Sequence, residues 1–94
     1  MSGATKSLLV LARRDHAEAM RVAAGLTIFG HRVSLVFMTA PVAETPGNAA
    51  NAELLELTGI EPQTTVEAME GELPLLDAAG LAGTLAAADA VISL

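Results

Sequence analysis

The order of apolar runs and polar breaks in the amino-terminal part of the chain predicts a strand, a helix and a second strand in quick succession. Leu8 to Leu11 is short and unbroken in its apolarity, as expected of a strand covered on both faces in a parallel sheet. Asp15 stands three residues before Glu18, the spacing of a capping box, and opens a helix from His16 to about Phe29. Gly30 can end that helix in a left-handed conformation. Arg32 to Met38 (RVSLVFM) is the next strand, and parallel strands joined through a helix make a right-handed crossover.

On a helical wheel the first helix is apolar almost all round. Met20, Ala24 and Ile28 line one side, Val22, Leu26 and Phe29 another, and Glu18, Arg21 and Gly25 form only a narrow polar strip. A helix covering a sheet from outside needs a single apolar stripe, so a second helix or another subunit is expected over this one. The remaining pattern is weaker. Thr39 to about Ala49 (TAPVAETPGNA) reads as a loop, and Asn48 or Asn51 can cap a second helix that runs through Leu57 and closes at Gly59. Gln63 to Ala68 is a third strand, Glu70 to Pro74 a turn region, Leu81 to Ala88 a helix weakened by Gly83, and Ala90 to Leu94 a last strand. The predicted fold is α/β. It is a single Rossmann-like domain over residues 1–94, three layers deep, with a mainly parallel sheet of four or five strands between helices.

Composition alters this picture in one respect. Of the 94 residues only Phe29 and Phe37 are aromatic, so the core must be built from aliphatic side chains and alanine. Such side chains bury little area each, and close approach of the elements has to compensate. A chain this short is near the lower limit for unaided stability, so a dimer or higher oligomer is expected, with the first helix or the segment from Leu73 to Leu85 at the contact.

Charge is divided unevenly. The five basic residues (Lys6, Arg13, Arg14, Arg21, Arg32) are opposed locally only by Asp15 and Glu18, and the other nine of the eleven carboxylates follow Val33. With a net charge of −6, nucleic acid is excluded as a partner over most of the surface. The apolar stretch near the amino terminus is too short for an export signal, and Asp77, Asp89 and several glycines break up the Ala- and Leu-rich stretch from Leu73 to Leu94, so no membrane partner is expected. Together with the lack of cysteine, this points to a cytoplasmic protein.

Candidate chemistry is sparse. His16 and His31 flank a helix of about fourteen residues and lie roughly 20 Å apart, which rules out one shared metal within a monomer. Without cysteine a structural zinc site has no support, and no metal or other cofactor is expected. Ser7, Ser34 and Ser93 lie in or beside strands without a nucleophile elbow, and the turn ARRDH lacks the glycines of a nucleotide fingerprint. That turn does place Arg13, Arg14 and His16 at a helix amino terminus, the usual position for ligands in an open α/β sheet. These three are the candidate anion-binding residues. Asp15 opposes them, because its side chain should occupy some of the same amides.

The segments SLLVLARRDHAEAMRVAAGLTIFGHRVSLVFM and LLDAAGLAGTLAAADAVISL resemble the DsrE/DsrF/DsrH-like superfamily, which includes the Tus sulfur-relay subunits. The resemblance covers somewhat over half the chain. It implies an open parallel sheet, assembly with copies of itself or with other DsrE-like subunits, and, in catalytic members, persulfide transfer through a cysteine. This chain has asparagine and alanine from Asn48 to Asn51, where a DsrE-type cysteine is expected, and RVAAGL around Ala23, where a DsrH-type cysteine lies. No catalytic residue carries over. The sequence therefore reads as a non-catalytic subunit acting in assembly or partner docking, for which the resemblance implies a setting in sulfur-relay metabolism. The alternatives are a binding module for a small anion or nucleotide at the ARRDH turn and, more remotely, an enzyme using carboxylates and His16.

Overall fold

The computed structural model describes residues 6–69 and 71–94. Its elements run β1 (Ser7–Ala12), α1 (His16–Ile28), β2 (Arg32–Phe37), α2 (Pro46–Thr58), β3 (Gln63–Thr64), a 3-10 turn (Glu67–Met69), α3 (Ala78–Ala87) and β4 (Ala90–Ser93). The four strands form one sheet in the order β3-β2-β1-β4, with every neighbouring pair parallel. The fold is the expected small Rossmann-like α/β arrangement. No helix among the described residues is long and apolar enough to cross a membrane.

Side chains alternate across the strands and sort into two layers. Val10, Ala12, Leu35 and Phe37 meet Ala19, Met20, Ala23 and Ala24 of α1, Leu55 of α2, and Ile60 and Met69 in one core. The four buried residues of α1 are three alanines and a methionine, which lets the helix axis approach the sheet closely. α2 packs beside α1, so the cover expected over α1 comes from within the chain. It is incomplete at the helix end, where Ile28 and Phe29 are 72% and 82% exposed. On the opposite face, α3 lies over β1.

Several boundaries differ from the sequence expectation for local reasons. The capping box is only half formed: Asp15 Oδ1 accepts from the Glu18 amide, but the Glu18 carboxylate turns to Arg21. Gly30 and Gly59 do adopt left-handed φ values, +93° and +78°. α2 begins earlier than expected because Thr45, not an asparagine, is the cap: its Oγ1 accepts from the Asn48 amide, and Pro46 follows at the first helical position. Asn48 instead donates to the Ala43 carbonyl. α3 likewise starts at Ala78, capped by Asp77, whose Oδ1 accepts from the Gly80 amide at 2.7 Å.

The third strand is the largest correction. Only Gln63 and Thr64 pair with β2, and the chain then leaves the sheet into the 3-10 turn. Thr64, fully buried, organises this departure. Its Oγ1 donates to the Phe37 carbonyl and accepts from the Val66 amide, both at 3.0 Å. Its backbone amide donates to Pro74, and its carbonyl accepts from Leu76, which brings the segment beyond the turn against the outer side of β3. Thr64→Val keeps the shape but strands the Val66 amide, so it should lower stability by about 1–3 kcal/mol. Thr64→Ser should recover most of that loss. Urea denaturation of the two variants checks this, and equal stability of Thr64→Val and wild type would refute it.

Candidate functional site

Three features outside the hydrophobic core carry chemical potential: the β1–α1 turn, a cavity at the carboxyl end of β2, and the outer face of α3 with β4. In the order β3-β2-β1-β4, the switch point lies between β1 and β4, and the β1–α1 turn sits at its carboxyl end. Arg13 and Arg14 are exposed there. His16 is turned the other way: its ring meets Phe37 edge-on at 5.4 Å, and Nε2 lies 3.2 Å from the Met38 carbonyl, which makes Nε2 the protonated nitrogen. The turn thus brings the two arginines together at the surface and commits His16 to the end of β2.

Part of the donor capacity at this helix end is already used. The Arg14 and Asp15 amides both donate to the Leu94 carbonyl, at 2.9 and 3.1 Å, and the Glu18 amide is taken by Asp15. Among the described residues, the His16 and Ala17 amides have no such acceptor. Just beyond, the Arg21 guanidinium donates to the Glu18 carboxylate and holds its carboxyl below the ordinary range, so the nearest cation inside α1 is neutralised locally.

The cavity has a volume of about 590 Å³, within the range of small-molecule sites. Met20, Phe37, Leu55, Ile60 and Met69 form its apolar floor. The loop from Val42 to Pro46 and the start of α2 form one wall, and Glu44, Glu56 and Glu72 bring exposed carboxylates to the lining. The loop reaches this position through two tight turns. The Ala40 amide donates to the Met38 carbonyl across Thr39, which has φ of +78°, and the Thr45 amide donates to the Ala43 carbonyl. A β-branched residue in the left-handed region is strained, and the strain falls where the loop leaves β2 for the cavity wall.

The third feature is an apolar surface. α3 (AAGLAGTLAA) contains no charged residue, and none of its residues is buried. Val91 of β4 stands opposite Leu9 in register, on the same side of the sheet as α3, and is 45% exposed. Leu85 of α3 is 39% exposed. Among the described residues β4 is also an open edge, without charge or proline from Ala90 to Ser93, whereas the other edge is covered by the bridge between Thr64 and Leu75.

No family model, curated protein or solved structure matches the chain. Among the described residues there is no cluster of three or more His, Asp or Glu side chains arranged to hold a metal.

Sequence reasoning located the arginine turn and missed the cavity, whose lining is gathered from Met20 to Leu73. One signal was present: a long, proline-containing loop at the carboxyl end of a parallel strand is a common place for a ligand site. The strained turn gives a direct check on the loop. Thr39→Gly removes the left-handed penalty and should raise stability by up to about 1 kcal/mol after the entropic cost of glycine. Thermal unfolding with a midpoint below wild type would show that Thr39 is held there by contacts worth more than the strain.

Proposed function

We propose that this chain is a non-catalytic DsrE-like subunit that works by docking a second copy of itself or a homologous subunit, in a cytoplasmic sulfur-relay setting. The observation that carries the reading is α3, an uncharged helix with no buried residue, set beside an open edge strand. A contact through this surface would cover Leu85 and Val91 and could extend the sheet through β4. The middle of α1, the other contact considered from sequence, is occupied by the chain's own core. The lack of cysteine leaves no thiolate to carry sulfur, which favours a structural role within such an assembly.

Light scattering at micromolar concentration should show a dimer or higher oligomer for the chain alone, or with a DsrE-like partner subunit. Leu85→Glu combined with Val91→Lys should convert it to a monomer with an unchanged circular dichroism spectrum. A chain that remains monomeric alone and with such a partner would reject the docking reading.

The second reading, a small-anion site at Arg13 and Arg14 to which His16 would bring its backbone amide and not its ring, is favoured by the two exposed arginines next in sequence to the His16 and Ala17 amides, which have no acceptor among the described residues. Under it, phosphate should raise the melting temperature in a salt-sensitive manner. Replacing Arg13 and Arg14 by Ala should abolish that rise, whereas an unchanged phosphate response in the double variant would remove both arginines from the site.

A further inference from the structure

The cavity at the carboxyl end of β2 differs in chemistry from both surfaces above. Its floor is apolar, and every charged side chain in its described lining is a carboxylate: Glu44, Glu56 and Glu72. Its neutral polar groups are largely committed elsewhere. Thr45 Oγ1 accepts from the Asn48 amide, and the Asn48 side chain donates to the Ala43 carbonyl. Selection among ligands therefore falls to the apolar floor and the three carboxylates.

We propose that this cavity binds a small organic cation, an amine or quaternary ammonium group carried on an apolar body. The body would bury against Met20, Phe37, Leu55 and Met69, and this contact supplies most of the affinity. The cationic head would remain near the exposed carboxylates, where it needs little desolvation and meets charge of opposite sign. An anion of the same shape would meet three like charges on a chain whose net charge is already −6. The inference is independent of subunit docking, because no lining residue belongs to α3 or β4.

Phenylbutylamine, phenylbutanol and phenylbutyrate share one apolar body and differ in head charge, so titration calorimetry with the three separates the contributions. The amine should bind saturably, about fivefold or more tighter than the alcohol at low ionic strength, with the carboxylate weakest. In parallel NMR titrations, the methyl signals of Met20 and Met69 should move, together with the His16 ring that rests on Phe37. The triple substitution Glu44→Gln, Glu56→Gln and Glu72→Gln should reduce amine binding to the level of the alcohol and leave alcohol binding unchanged. The proposal is overturned if the amine does not saturate, if phenylbutyrate binds as tightly, if the preference survives the triple substitution, or if the shifts fall outside the cavity.

Discussion

The structure depends on the close contact between the alanine face of α1 and the paired strands β1 and β2. With two aromatic residues in the whole chain, no large side chain is available to span a wide gap between layers. Ala19, Ala23 and Ala24 bring the helix backbone down onto Val10, Ala12 and Leu35, and Met20 fills the irregular space that remains. That economy has a local cost. Beside Phe37 at the carboxyl end of β2, the small side chains of Ala49 and Ala52 line the cavity without filling it.

The elements most legible from sequence were those with short-range causes. The unbroken run in β1, the spacing of Asp15 and Glu18, and the two glycines that turn left-handed all act within a few residues of themselves. β3 was overestimated because its β-branched residues carry strand propensity, while the buried hydroxyl of Thr64 bends the chain away after two residues. The cap of α2 was misassigned among several residues able to cap, and Thr45 took the role with proline directly after it. The loop that walls the cavity was legible but the cavity itself was not, since it depends on how elements distant in sequence are spaced, a quantity that no local pattern encodes.

The two faces of the sheet divide the chemistry. One face carries the core and the acidic cavity; the other has a thin apolar layer and the open edge of β4. Arg13 and Arg14 follow directly on β1 and do not belong to the lining of the cavity. Phe37, on the floor of the cavity, meets the His16 ring edge-on, so one side chain touches both the cavity and the first residue of α1.

β4 is fastened to β1 at both ends: the Ser7 amide donates to Asp89 and the Asp89 amide to the Ser7 carbonyl, while the Leu94 carbonyl receives the Arg14 and Asp15 amides. Ser7 and Asp89 are 82 residues apart, far more than the spacing between β1 and β2. Loop-closure entropy therefore favours early formation of the β1–α1–β2 unit and later docking of β4. During synthesis on a ribosome, the β1 edge that β4 will occupy stays open until β4 has emerged. Before β3 and β4 are made, β1 and β2 would each present an unpaired edge; β3 with the Leu75 bridge closes the β2 side first, and the β1 edge remains exposed to wrong partners until β4 pairs with it.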